Sequence, residues 1–140
     1  MSKYDSIESM LEKEESVLIS PVGNSMLPFL KSGRDTVLLK KVTRPLSKYD
    51  VVLYRGKDGG YILHRIIRIT DKGYIICGDN CSVWERGIKP DDIIAVVDSI
   101  VRKNKTYPCH CFKNRIYERV WCGTLLKRIV FKLKRIFDKN

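Results

Sequence analysis

Residues 61–77 have the sequence YILHRIIRITDKGYIIC. Two runs rich in β-branched and aromatic residues, 61–69 and 74–77, flank a polar segment that ends in Gly73. Such runs favour β-strands, and the segment between them favours a tight turn, because glycine adopts positive φ without strain. The stretch therefore predicts two antiparallel strands joined by a hairpin.

The same pattern continues on both sides of this hairpin. Further strands are predicted at residues 36–39, 51–54 and 93–101, and Asp58-Gly59-Gly60 marks a second hairpin turn. Residues 5–15 favour a short helix, because Asp5 and Glu8 have the spacing of an N-cap and its N3 partner. The fold class predicted is mainly β: an N-terminal helix within residues 1–16, followed by a small antiparallel core over residues 17–104.

Residues 105–140 have a different periodicity. After a break at residues 105–108, apolar residues recur at helical spacing and Lys or Arg residues fill the gaps. This pattern predicts a basic amphipathic C-terminal helix, kinked at Gly123. Two interpretations stay open: a helix that lies on anionic membrane through residues 113–139, or a helix docked on the β core with a solvated basic face.

Length and charge narrow the class of protein. The chain has 140 residues and a net charge of +11, which suits one domain with an anionic partner. Most of the excess is C-terminal, since residues 102–140 carry 12 basic side chains against two acidic ones. No apolar run approaches the roughly 18 residues of a membrane span, and the N-terminus lacks the pattern of a secretory signal. These features predict a cytoplasmic protein.

The cysteines do not suggest a disulfide framework or a metal site. The chain has five of them, an odd number, and reduced thiols are expected in the cytoplasm. Zinc ligands could be sought among Cys77, Cys81, Cys109, His110 and Cys111. The spacing of these residues argues against a zinc site, because no C-x2-C pair occurs among them. We therefore expect neither a metal nor a cofactor.

Two residues are candidates for nucleophilic chemistry. Ser25 follows Gly23 and precedes Pro28 in a constrained turn that presents its hydroxyl, although serine in such a turn more often caps the backbone. His64 falls on the strand face of Ile62 and Ile66, where a histidine is usually a satisfied core residue. Together with the acidic residues downstream, the two suggest a nucleophile and its general base.

Four short motifs occur in the order of a known peptidase clan. They are Ser25-Met26-Leu27-Pro28, the strand of residues 51–54 behind Asp50, His64-Arg65, and Gly78-Asp79-Asn80. In this the chain resembles the signal peptidase I clan, the S24/S26 serine peptidases, which also holds the self-cleaving SOS repressors. The resemblance spans close to half of the chain. It implies a coiled all-β catalytic core and serine endopeptidase activity.

The resemblance also implies roles for individual residues. Ser25 matches the family nucleophile, and His64 matches the base position, which is lysine in most bacterial signal peptidases and histidine in the endoplasmic-reticulum type. Asp79 matches the acid of the Gly-Asp-Asn motif, and Glu85 aligns with a second acid of the family. Either carboxylate is a candidate to orient His64, with Asp79 favoured.

The residues around Ser25 are expected to form the oxyanion site and substrate groove. Many family members have a hydroxyl residue at the position of Gly23, so the Ser25 N–H and the Asn24 amide are the candidates to bind the oxyanion. Met26 and Pro28 are expected to shape the turn. The neighbour of His64, Arg65, alternates to the opposite strand face and is interpreted as solvated.

The leading hypothesis is a serine endopeptidase that cleaves a protein or precursor peptide and has no transmembrane anchor. The basic tail allows peripheral contact with the inner membrane face. The first alternative is a catalytically inactive module that binds an extended peptide in the same groove. Nucleic-acid binding through the tail is the least favoured, because the tail has few aromatic residues for base stacking.

Overall fold

Eight antiparallel strands form one sheet in the computed structural model, which describes residues 6–122 and 124–139. The strands are, in chain order, β1 (Ser16–Ile19), β2 (Asp35–Lys40), β3 (Val51–Arg55), β4 (Tyr61–Thr70), β5 (Gly73–Cys77), β6 (Glu85–Ile88), β7 (Ile93–Arg102) and β8 (Lys105–Pro108). Their spatial order is β1-β2-β7-β3-β4-β5-β6, and β8 pairs with β7. The helices are α1 (Ile7–Lys13), α2 (Phe112–Val120) and α3 (Leu125–Phe137), and a 3₁₀ turn covers Pro90–Asp92.

The predicted mainly β fold is confirmed, and so are both hairpins. Strands β2, β3, β4, β5 and β7 contain the five predicted runs, and each of the pairs β3–β4 and β4–β5 is antiparallel. The structure adds β6 and β8, which the sequence pattern did not indicate. The predicted break at residues 105–108 is wrong, because this segment is β8 and pairs with β7 from Arg102 to Ser99.

The sheet buries apolar residues on both of its faces. In β3, Val51 and Leu53 pack into one cluster, whereas Val52 and Tyr54 pack into a second on the opposite face. The central strand β7 divides in the same way. A strand that is buried on both faces must be covered by a curled sheet or by other elements, and here α1 and the segment around Met26 to Leu30 cover the first cluster.

The N-terminal helix starts at a different cap from the predicted one. The Ser6 hydroxyl accepts a hydrogen bond from the Ser9 N–H, and the Ser9 hydroxyl accepts one from the Ser6 N–H. This reciprocal pair is a capping box, so α1 begins at Ile7. The predicted cap at Asp5 lies outside the described residues. Glu8 is instead paired with Arg55 of β3, which ties the helix to the sheet.

The C-terminal tail consists of two helices, where a single kinked helix was predicted. Helix α2 ends at Val120 and α3 begins at Leu125. The predicted kink position, Gly123, lies outside the described residues. Among the described helices, none is long and apolar enough to cross a membrane.

Candidate active site

Ser25 lies in the segment that connects β1 to β2. Gly23 has a φ of +89°, a conformation that residues with a side chain rarely adopt, so the chain turns sharply just before the serine. The turn continues with a hydrogen bond from the Leu27 N–H to the Asn24 carbonyl. Met26 is buried beneath it, and Ser25 itself is half-buried. The constrained turn that the local sequence predicts around Ser25 is thus present.

The loop after β5 holds this turn from one side. The Asn80 N–H donates to the Ser25 carbonyl at 2.8 Å, and the Asn80 side-chain amide donates to the Asn24 carbonyl at 3.1 Å. The Asp79 N–H donates to the Met26 sulfur at 3.4 Å. Gly78-Asp79-Asn80, here called the bracket loop, therefore holds the serine turn through two backbone N–H groups and the Asn80 side-chain amide.

Gly78 allows the histidine and the serine turn to approach each other. A Cβ at this position would lie 2.6 Å from the Ser25 carbonyl oxygen and 2.9 Å from His64 Nε2. Both distances are too short for non-bonded atoms, so only glycine fits. His64 Nε2 and the Ser25 main chain consequently lie on the same side of Gly78.

Ser25 and His64 line one cavity of about 450 Å³. Gly23 and Met26 also line it, together with apolar side chains from β1, β3 and β4. In the part of the chain that the structure describes, no hydrogen bond joins the Ser25 hydroxyl to His64. Hydrogen bonds between catalytic groups are often long in the absence of substrate and tighten when it binds.

The ring of His64 is held by two residues of the sheet. Its Nδ1 lies 3.4 Å from the Tyr54 hydroxyl and 3.7 Å from Glu85 Oε1, and Tyr54 donates to the same Glu85 oxygen at 2.8 Å. Because the single Tyr54 proton is used on Glu85, the Tyr54 oxygen can only accept from Nδ1–H. In that tautomer Nε2 is unprotonated, which is the form that a general base needs.

The carboxylate beside His64 is Glu85, and the preference for Asp79 is corrected by the geometry. The Asp79 carboxylate accepts two hydrogen bonds from the Arg65 guanidinium, at 2.9 and 2.8 Å, and one from the Tyr117 hydroxyl at 2.9 Å. Both of its oxygens are thus engaged, by Arg65 of β4 and by Tyr117 of the helical tail. Asp79 therefore ties the bracket loop to β4 and to α2.

Arg65 is completely buried, and its interpretation as a solvated residue is wrong. Besides Asp79, it donates to Glu118 Oε1 and to the Tyr49 carbonyl, each at 3.1 Å, and it stacks over the Phe29 ring at 4.4 Å. The period-2 pattern placed Arg65 correctly on the face opposite His64. It did not show that this face is covered, because the cover is α2, which is distant in the chain.

A second histidine, His110, belongs to the same group of buried charged residues as Arg65 and Glu118. Both ring nitrogens of His110 contact carboxylate oxygens, Nδ1 with Glu118 at 2.9 Å and Nε2 with Asp50 at 2.7 Å. An ionised carboxylate only accepts, so both nitrogens must donate and the ring is cationic. The contacts with Asp50 and Glu118 accordingly raise the pKa of His110 to about 9. Arg44 forms an ion pair with the other oxygen of Asp50. The three cations Arg44, Arg65 and His110 thus balance the three carboxylates of Asp50, Asp79 and Glu118.

The electrostatic surroundings keep His64 neutral. Burial lowers the pKa of His64 below its usual 6.5, and the nearby ammonium group of Lys127 lowers it further. The charges of Glu85 and Asp79 oppose this shift but do not overcome it. At neutral pH the imidazole is therefore free to accept a proton.

Two of the predicted groove residues are placed elsewhere. Pro28 lines a different cavity, next to Phe29 and Tyr117, so its expected place in the substrate groove is corrected. Asn24 is exposed, and its carbonyl binds Asn80. Of the predicted groove residues, Gly23 and Met26 line the cavity of Ser25.

Sequence reasoning missed two residues that contact the site. Tyr54 is predictable in hindsight, because the β3–β4 register pairs Val52 with His64 and so places Tyr54 diagonally beside the ring on the same face. Lys127 of α3, whose ammonium donates to the Gly78 carbonyl at 2.8 Å, had no such signal. Its position depends on how the tail folds back.

All five cysteines are free. Within residues 6–122 and 124–139, no three His, Cys, Asp or Glu side chains are grouped so as to hold a metal ion. A scan against models of known protein families finds no match to the chain, and a search of curated proteins finds none either.

Proposed function

We propose that this protein is a serine endopeptidase of the signal peptidase-like type, with Ser25 as nucleophile and His64 as general base. The observation that carries the proposal is that both side chains, from separate elements, line one cavity while the second nitrogen of the histidine is engaged by Tyr54. Among the described residues, the histidine Nε2 has no hydrogen-bond partner, so this nitrogen is available to take a proton.

The proposed reaction starts when the Ser25 oxygen attacks the carbonyl carbon of a peptide bond. His64 Nε2 takes the serine proton and then gives it to the leaving amine, which leaves an acyl ester on Ser25. A water molecule, deprotonated by the same nitrogen, then attacks the ester carbonyl. The bond to the Ser25 oxygen breaks, His64 returns the proton to that oxygen, and the acid product leaves. The imidazolium that forms in each step is stabilised by Glu85, whose carboxylate lies 3.7 Å from Nδ1.

The walls of the cavity suggest what the substrate presents. Ile19, Leu53 and Leu63 surround the approach to Ser25. A peptide with an apolar side chain next to the scissile bond would bury that side chain here and gain roughly 25 cal/mol for each Å² removed from water. We therefore expect cleavage beside apolar residues.

Digestion of a peptide library tests the proposal. The wild-type protein is incubated with peptides that tile a bacterial proteome, and new termini are identified by mass spectrometry. Wild type should cut a subset beside apolar residues, and Ser25→Ala should cut none while it unfolds at the same urea concentration. The matched control is Ser82→Ala, which removes an exposed hydroxyl outside the cavity and should leave cleavage unchanged.

The same library discriminates the alternative function. The Ser25 hydroxyl and His64 are not hydrogen-bonded in the structure, which is also what a module that only binds peptides would show. If wild type and Ser25→Ala retain the same peptides and neither cuts them, the peptidase proposal is wrong and the module takes its place. If Ser25→Ala cuts as fast as wild type, the assignment of the nucleophile is wrong.

A further inference from the structure

Helix α3 presents an exposed apolar face. Six side chains of this face are between 45% and 74% exposed. They are Leu125, Leu126, Ile129, Leu133, Ile136 and Phe137. At 100° per residue they occupy one side of the helix, which is about 20 Å long. Such a continuous patch on a small domain indicates a partner.

The other side of α3 is cationic. Arg128, Lys132, Lys134 and Arg135 are exposed, and no acidic residue occurs between positions 125 and 137. An apolar stripe flanked by long basic side chains is the pattern of helices that lie in the interface of an anionic bilayer. The lysine and arginine stems can follow the apolar surface while their charged ends reach lipid phosphates.

The two halves of the tail differ in how they meet the core. In α2, the Tyr117 hydroxyl and the Glu118 carboxylate bind Asp79 and Arg65. In α3, the buried side chain is that of Lys127, whose ammonium donates to the Gly78 carbonyl. Lys127 lies on the side of α3 away from the apolar face. The core thus attaches to the back of the helix and leaves the apolar face exposed, with Leu125 and Ile129 also lining a cavity shared with Asn80 and Ser82.

We propose that α3 docks this protein on the surface of an anionic lipid bilayer, with the helix axis in the membrane plane. Charge complementarity selects this occupant. A second copy of the helix would bring two sets of like charges together, and a nucleic acid would neutralise the cations but leave the apolar face in water. An anionic bilayer satisfies both sides of the helix at once.

The proposal is independent of the peptidase reaction but bears on where it takes place. Gly78 accepts a hydrogen bond from Lys127 of α3 and lies next to His64 Nε2. A helix held on lipid would therefore keep the candidate site close to the membrane surface. Docking requires no catalysis, so Ser25→Ala should bind vesicles as well as wild type does.

Vesicle flotation with the full chain tests the docking. Wild type should float with vesicles of phosphatidylglycerol and phosphatidylcholine. Its binding to vesicles of phosphatidylcholine alone should be weaker by about tenfold or more, because each cation near an anionic surface adds to the attraction. Raising the salt concentration should weaken the binding. Leu133→Glu places a charge in the centre of the apolar face and should reduce binding by about tenfold or more.

Matched substitutions elsewhere on the surface distinguish a specific effect of α3 on vesicle binding from a general effect of added negative charge. Ile69→Glu makes the same type of change at a residue of nearly equal exposure, 46% against 48% for Leu133, and should leave binding unchanged. The pair Lys132→Glu and Arg135→Glu should weaken binding, whereas the same change of net charge at Lys57 and Lys105 should have little effect.

Four outcomes would overturn the docking proposal. They are the absence of flotation, equal binding to neutral vesicles, equal losses from Ile69→Glu and Leu133→Glu, and a lipid-free dimer in sedimentation that Leu133→Glu dissociates. The last would assign the apolar face to a second copy. Retention on DNA that depends on Lys132 and Arg135, without vesicle binding, would assign the basic face to nucleic acid.

Discussion

At the scale of single residues, the proposed reaction depends on the proton affinity of His64. The ring is 13% exposed, and this burial, reinforced by Lys127, holds its pKa below 6.5 against the opposing charges of Glu85 and Asp79. A general base works only when unprotonated, so kcat/KM should rise with pH through a pKa below 6.5 and then stay level across neutral pH.

Glu85→Gln should move the rise of kcat/KM to lower pH. The substitution removes the negative charge 3.7 Å from Nδ1, which makes the protonated ring less favourable and lowers the pKa of His64 further. It keeps an oxygen that can accept from Tyr54, so the ring stays in place. The midpoint is read from kcat/KM measured between pH 4 and 9 on any peptide that the library identifies.

Asp71→Asn is the control, because it removes an exposed carboxylate in the β4–β5 turn and should leave the midpoint where it is. A wild-type limb near pH 9 would contradict the assignment, since it would indicate a lysine base. An unchanged midpoint in Glu85→Gln would show that Glu85 does not act on His64.

At the scale of elements, the bracket loop, β4 and α2 are joined by buried charges. Arg65 is 0% exposed and its two carboxylate partners, Asp79 and Glu118, are nearly as buried. A buried ion pair of this kind stabilises the fold little more than well-packed apolar residues in the same place would. Removal of one member is nevertheless costly, because it leaves the other charge buried without compensation. Asp79→Ala should therefore lower the free energy of unfolding by about 3–5 kcal/mol.

Urea denaturation followed by circular dichroism measures this loss. Asp98→Ala is the matched control, because it removes a carboxylate whose ion pair with Lys40 is about half-exposed on both sides, and such pairs contribute about 1 kcal/mol or less. Equal losses in the two variants would contradict the structural role of Asp79. The bracket contacts to Ser25 also predict that a folded Asp79→Asn protein has a reduced kcat.

At the scale of the whole molecule, His110 links the segment before the central strand β3 to helix α2. Its cationic ring joins Asp50, which precedes β3, to Glu118 of α2. The folded state raises the pKa of His110 from 6.5 to about 9 and therefore binds a proton that the unfolded chain releases above pH 6.5. This stabilisation is complete below pH 6.5 and is lost as the pH rises through about 9.

Comparison of wild type with His110→Gln isolates this contribution. At pH 6 the wild type should be more stable by about 2 kcal/mol, the usual value for hydrogen bonds to charged groups. The difference should shrink steadily towards pH 9.5. The buried thiols of Cys109 and Cys122, whose pKa values burial raises to about 12, also destabilise the fold at high pH, but they do so equally in both proteins. A difference that is constant with pH would exclude a charged His110.

Much of the architecture follows from patterns that are local in the chain. The alternation in β4, the glycine turn that ends it and the apolar runs of β2, β3 and β7 each depend on neighbours within a few residues. The same holds for the turn that presents Ser25 and for the strand face that carries His64. These features are therefore visible in the sequence without knowledge of the fold.

Local patterns in the chain predict the mainly β fold, the two hairpins and the two residues, Ser25 and His64, from which the proposed site is built. Contacts between distant elements were needed to place Glu85 and Lys127 near His64, to bury Arg65 against Asp79, and to divide the tail into a docked α2 and an α3 with an exposed apolar face. The physical reason is that periodicity describes which side of an element a residue occupies. Charge pairing and burial depend on what covers that side, and the cover comes from elements far away in the chain.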